Sequence, residues 1–116
     1  MSKLQNKLNH EYNNKMKQRI ENAAMKVLTT YGLESFTMDI VAQTAGLGKG
    51  TVYRYFKNKK ELLLCLRETV FNMLKNDLLD VVKSDLPSEK KIELMLEKSL
   101  KFFAESPNIG SIFAVK

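Results

Sequence analysis

Cysteine, histidine and proline are scarce in this chain, and each shortage closes off a class of function. A single cysteine, Cys65, permits no internal disulfide and no cysteine-ligated metal cluster. Its setting in Leu62-Leu63-Leu64-Cys65-Leu66 marks it as a small core residue rather than a reactive thiol. The one histidine, His10, lies in a polar terminal stretch, so no histidine triad or histidine metal pair can form. No metal or cofactor is expected. Apolar runs are short: none approaches the ~20 residues that span a bilayer. The N-terminus is polar where a secretory signal needs an apolar core, so the chain is expected to be cytoplasmic, with no membrane partner. Two prolines and five glycines among 116 residues leave long stretches free to be helix. Windows that alternate apolar and polar residues with β-branched enrichment are few, so the expected fold is all-α.

What is present is basic, and unevenly so. The formal net charge is +6, yet residues 1–60 carry eleven Lys and Arg against four Asp and Glu, while residues 61–116 carry eight against nine. A positive half of this kind suits a phosphate-bearing, acidic or anionic-lipid partner.

Residues 1–11 are polar and basic, with Lys3, Lys7 and no clear apolar face, and read as a solvated extension, frayed or helical. From Tyr12 to Tyr31, Met16, Ile20, Ala23, Ala24, Val27 and Tyr31 recur in steps of three and four, defining one buried helical face that Leu28 widens. Lys15, Arg19, Glu21 and Lys26 fall on the opposite face. Gly32 closes this helix, and Leu33 and Phe36 lead into the next.

The stretch from Phe36 to Phe56 is the most informative. Met38 to Ala45 forms a short helix with Ile40, Val41 and Ala45 inward, Thr37 as its cap, and Asp39 in the first turn, where the helix dipole favours negative charge. Gly46 supplies the left-handed residue that ends it, and Leu47 plugs the gap before the next helix. Lys49 to Phe56 is a second short helix, cationic and aromatic on its outer side. Helix, tight turn, helix is the layout of a helix-turn-helix DNA reader, whose second helix enters the major groove. Gly46-Leu47-Gly48-Lys49-Gly50 has neither the full spacing of a phosphate loop nor a buried strand before it. No active site is evident, and an enzyme is not expected.

Thr37-Met38-Asp39-Ile40-Val41-Ala42, Ala45-Gly46-Leu47, the run Lys49-Gly50-Thr51-Val52-Tyr53-Arg54-Tyr55-Phe56, and Lys59 closely resemble the TetR (tetracycline-repressor-like) family of transcriptional regulators. The resemblance covers about Arg19 to Leu66. Two positions depart from the family pattern: Gly48 stands where a serine often caps the recognition helix, and Lys60 where a glutamate often follows Lys59. The first weakens a cap by a few tenths of a kcal/mol.

The residues and the resemblance together nominate the contacts. Thr37 gives its hydroxyl and the nearby helix N–H groups to a phosphate. Lys49 and Thr51 open the recognition helix at the end that meets base edges, and Gly50 allows close approach. Tyr53 and Tyr55 donate phenolic hydroxyls to phosphates or pack on thymine methyls. They are two residues apart and cannot share a face, so at least one must be exposed. Arg54 reaches guanine or phosphate, and Lys59 clamps the backbone. Val52 and Phe56 face the core. The residue 1–11 extension is a candidate arm along the duplex.

Asn58 caps a long helix from about Lys60 to Lys83, with Leu62, Leu63, Leu66, Val70, Leu74, Leu78, Val81 and Val82 on its apolar face and Phe71 and Met73 extending it. Pro87 breaks it, and Ser88 caps an amphipathic helix, Glu89 to Glu105, through Ile92, Met95, Leu96, Ser99, Leu100 and Phe103. Asn108 opens a further helix through Ile109, Ile112 and Phe113. The expected organisation is an extension at 1–11, a three-helix DNA-binding domain at 12–60, and a connecting helix with part of a helical ligand-binding and dimerisation domain at 61–116. Family members usually continue through further helices, so this chain is expected to be a fragment or to lack that remainder. Met95, Leu96, Phe102 and Phe103 either line a ligand cavity or pack the core.

The resemblance implies a ligand-responsive repressor binding an inverted-repeat operator as a homodimer, with a small-molecule inducer. A helical protein-interaction module using an αα-corner and the long helix's apolar face is the alternative. A basic membrane-surface binder is a weaker third.

Overall fold

The computed structural model describes residues 2–115, and helices dominate it: α1 (Lys3–Tyr31), α2 (Met38–Ala45), α3 (Lys49–Tyr55), α4 (Lys59–Val82), α5 (Ser88–Glu105) and α6 (Pro107–Gly110), followed by a 3-10 turn at Ser111–Ala114. No strand occurs among the described residues. The fold is all-α: a helix-turn-helix domain with a helical region after it.

Local chemistry sets most of the ends. The Ser2 hydroxyl caps α1 by accepting from the Gln5 N–H at 3.2 Å, and the polar extension is thereby continuous with α1. Thr37 Oγ1 accepts from the Ile40 N–H at 3.1 Å, and Asn58 Oδ1 from the Glu61 N–H at 2.9 Å. Each satisfies one donor that the first helical turn leaves without a partner. Gly46, at φ 70°, ends α2 in the left-handed region, where its N–H reaches the Ala42 and Gln43 carbonyls.

The core is one cluster to which every helix except α5 and α6 contributes. α1 supplies Ile20, Ala23, Ala24, Val27 and Leu28; α2 supplies Met38, Val41, Ala42 and Ala45; Val52 comes from α3 and Leu62, Leu63 and Leu66 from α4. Phe36 and Phe56, in the connections that flank α2 and α3, are fully buried, each contributing about 1.5–3 kcal/mol by leaving water. Leu47 packs against this cluster as a turn plug. Three short helices bury little on their own. Ile112, from the 3-10 turn, completes the centre with no exposed surface. The Asn108 side-chain amide donates to the Thr29 carbonyl at 2.9 Å and Arg67 to the Val115 carbonyl at 2.7 Å, which fastens the end of the chain to α1 and α4.

Three expectations need correction and one needs an addition. Tyr31 is 62% exposed rather than on the buried face: Gly32 turns the chain away one residue later, and the described residues leave the last turn of α1 open on that side. Arg19 is exposed, as its place on the polar face implies, but its guanidinium is engaged. Its Nε donates to the Ala45 carbonyl at 2.8 Å and its Nη2 to the Gly46 carbonyl at 3.4 Å, so it closes the C-terminus of α2. Val82, Ile92, Leu96 and Leu100 carry the periodicity of buried residues but are exposed. Finally, Ser88 is the first residue of α5 rather than its cap, a position held by Pro87 without a side-chain bond.

Candidate nucleic-acid interface

The α2–turn–α3 unit is held from behind. Arg19 ties α1 to the end of α2. Val52, the residue of α3 that points inward, is fully buried, and Phe56 closes the helix with its N–H on the Val52 carbonyl. Lys17 lies 5.5 Å above the Phe56 ring. With Val52 inward, the 3.6-residue period puts Gly50, Tyr53 and Arg54 on the other side of α3. All three are exposed, and Tyr53 keeps 40% of its surface open.

Each nominated residue has a definite place. Thr37 is exposed, and because its oxygen accepts from Ile40, the hydroxyl proton remains free to donate outward. Lys49 extends over the start of α2, where its ammonium meets Asp39 Oδ1 at 3.0 Å and lies 5.9 Å from the Tyr53 ring centroid. The hydrogen bond and charge of Asp39 raise the pKa of Lys49 above its ordinary value. Gly50 is open: a Cβ built on it would meet nothing within 4 Å. Thr51 is half-buried and Arg54 exposed.

Tyr55 and Lys59 are tied inward. The Tyr55 hydroxyl donates to Asn13 Oδ1 at 3.0 Å, which braces α3 against α1 and spends the phenolic proton. The Lys59 ammonium donates to the Leu33 carbonyl at 3.3 Å and sits 5.9 Å from the Phe36 ring centroid. The structure therefore brings Thr37, Lys49, Gly50, Tyr53 and Arg54 to one exposed surface, with Tyr55 and Lys59 at its edge as braces.

Sequence reasoning missed three supports. Asn13 and Arg19 carry no local signal, since their partners are 42 and 26 residues away. Asp39 reads from sequence only as a partner of the helix dipole, although Lys49 lies within reach of its carboxylate. Away from this surface, the Cys65 thiol is half-buried and donates to Glu21 Oε1 at 3.0 Å; burial and then that bond push its pKa to about 11. Among the described residues no cluster of metal-binding side chains occurs, and no helix is long and apolar enough to cross a membrane.

Comparison with known proteins points to the same segment. Residues 20–66 match the family described as bacterial regulatory proteins, tetR family. An uncharacterized HTH-type transcriptional regulator of Bacillus subtilis is 44% identical over 59 residues, which is 51% of this chain and 31% of that protein. An HTH-type transcriptional regulator of Staphylococcus aureus is 35% identical over 68 residues, covering 53% of this chain and 37% of its own length. These matches thus span about a third of each relative. The crystal structure of a TetR-family transcriptional regulator from Haemophilus influenzae is similar with a TM-score of 0.55 and 26% identity, over 84% of this chain and 54% of that one. The family is one of regulators rather than enzymes, and through residues 20–66 this chain is similar to the tetR family of bacterial regulatory proteins.

Proposed function

We propose that the chain is a sequence-specific reader of double-stranded DNA that regulates transcription in the cytoplasm, with residues 12–60 as the reader and residues 61–116 as connecting helix and part of a regulatory region. The observation that carries this reading is the surface of α3. Its inward side is sealed by Val52, and its outward side presents Gly50, Tyr53 and Arg54 with Lys49 beside them, a cationic and aromatic face without a packing role. Lys49, Thr51 and Arg54 take base edges or phosphates, Gly50 permits close approach, and Thr37, Tyr53, Tyr55 and Lys59 meet backbone. Tyr55 and Lys59 do so after releasing Asn13 and Leu33.

The resemblance extends the proposal to a repressor that binds an inverted-repeat operator as a homodimer and is released by a small-molecule inducer. The apolar groove between α4 and α5, lined by Phe71, Leu74, Leu78, Leu79, Val82 and Met95, supports a hydrophobic ligand or partner helix on that side. Phe102 and Phe103 instead pack edge-to-face on each other, and Phe103 on Phe113, which favours the core reading for them.

Selection from a random duplex pool, followed by anisotropy of the winners at two salt concentrations, tests the reading. An enriched inverted repeat, bound more weakly as salt rises, is the expected result. The alternative, a protein-interaction module, draws on the exposed Phe71, Met73 and Val82 of α4. Lys49→Glu separates the two: it removes duplex binding under the first and leaves apolar docking intact under the second. Binding to anionic liposomes without preference among duplexes would favour the membrane-surface reading.

A further inference from the structure

Asp39 sits on the exposed surface that a duplex would meet, and it puts a negative charge where phosphates would approach. The helix dipole favours a negative charge in the first turn of α2, but the ion pair that Asp39 forms adds little stability: both side chains of the Asp39–Lys49 pair keep about three-fifths of their surface. The geometry is nonetheless specific. The carboxylate holds the Lys49 ammonium at 3.0 Å and draws it toward the start of α2, while the stem of the lysine brings the charge within 5.9 Å of the Tyr53 ring centroid. Of the cations nominated on this surface, Lys49 is neutralised by the chain itself, and Arg54 forms no ion pair among the described residues.

We propose that Asp39 is a positioning residue that sets specificity: it acts as an internal stand-in for a phosphate, holding Lys49 until the correct duplex offers that lysine a better partner. On a mismatched duplex Lys49 stays on Asp39 and contributes no counterion release, so non-specific binding is weak. On the correct duplex the close fit of α3 brings a base edge or phosphate to the ammonium, and the pair opens. The inference rests on the DNA-reading proposal above and adds to the helix dipole a second role for an acidic residue in a basic surface.

Asp39→Asn tests this in the full chain, measured by anisotropy against a mixed-sequence duplex and against a duplex selected from the random pool. Asparagine keeps the size of the side chain and remains acceptable near a helix start. Freed from Asp39, Lys49 takes one further phosphate on any duplex. The slope of log K against log salt for the mixed-sequence duplex therefore steepens by about 0.9, and affinity at 0.1 M salt rises about five- to tenfold. Selected-duplex affinity rises less, so the ratio between the two falls. Asp39→Glu restores the wild-type ratio. In a Lys49→Met background Asp39→Asn changes nothing further. An equal gain in that background means simple loss of a negative charge, and overturns the pair. An unchanged slope, or an equal loss on both duplexes, also overturns it. Failure of the wild-type chain to bind any duplex at low salt would sink the DNA reading itself, an outcome distinct from all of these.

Discussion

Replacing Gly50 with alanine should move stability and DNA binding in opposite directions. Gly50 is the second residue of α3, in helical conformation, and a methyl group there meets no atom of the chain within 4 Å. Glycine inside a helix costs roughly 0.5–1 kcal/mol relative to alanine, and the lower figure suits a first-turn position. With no steric penalty to set against it, Gly50→Ala should stabilise the fold by about 0.5 kcal/mol, raising Tm by about 2 °C in a domain of this size. If the α3 backbone lies against the duplex, the same methyl is an intrusion into a packed interface. Such intrusions cost about 1–3 kcal/mol, a five- to 150-fold loss of affinity. Thermal melting followed by circular dichroism and anisotropy on a selected duplex measure the two effects on one preparation. A lower Tm would mean that Gly50 is constrained by the fold. A higher Tm with unchanged binding would mean that this side of α3 does not approach DNA, and the account of the recognition surface would fail.

Other perturbations follow from the same contacts. Arg19→Met should destabilise by about 1.5–3 kcal/mol, the range for hydrogen bonds to a charged group, because its bonds to the Ala45 and Gly46 carbonyls close α2; urea denaturation reads this. Ile112→Ala removes a fully buried side chain and should cost about 2–5 kcal/mol in the same assay, although Ile112 lies 46 residues or more from the rest of the central cluster it completes. The Cys65 thiol, held protonated to about 11 against an ordinary 9.0, should resist thiol reagents at neutral pH. In the pH window between those values the unfolded chain binds fewer protons than the native one, so stability should fall as pH rises from 9.0 to about 11. Cys65→Ala should flatten that part of the pH–stability curve, and an unaltered slope would refute the assignment.

The parts of the structure that were legible beforehand are those whose cause lies within a few residues. Thr37 and Asn58 announce their helices because a capping oxygen needs only the N–H three residues on. Gly46 announces the turn because its left-handed φ is a local demand. The period of Ile20, Ala23, Ala24 and Val27 locates a face from neighbours one turn apart. Periodicity fails where the question is what lies opposite the face. Ile92, Leu96 and Leu100 have the same i, i+4 spacing as buried residues, yet all three are exposed, because α5 faces α4 along its Met95 and Phe102 side and the described chain places nothing over the other. A hydrophobic stripe states that a surface is apolar and leaves unsaid whether this chain covers it.

The recognition surface shows the same division with a functional consequence. Spacing alone says that at least one of Tyr53 and Tyr55 is exposed without saying which, and the exposed one is Tyr53; no local pattern could give Tyr55 its partner Asn13, 42 residues back. That bond changes what Tyr55 can do. A phenol whose proton is already donated offers a phosphate only its lone pairs, which phosphate oxygens do not take. Lys59 is in a similar position, with one of its three N–H bonds spent on the Leu33 carbonyl and its charge resting over Phe36. If either residue meets DNA, it exchanges an internal bond for an external one, so its net contribution is the difference between two comparable hydrogen bonds. Under the DNA reading Lys49 would make the same exchange from Asp39. Arg54 pays no such exchange, having no hydrogen-bond or ion-pair partner among the described residues. The residues that look strongest by chemistry are therefore mostly the ones already engaged, and under the proposed DNA reading the energetic weight of recognition would shift toward Arg54, Gly50 and the free hydroxyl proton of Thr37.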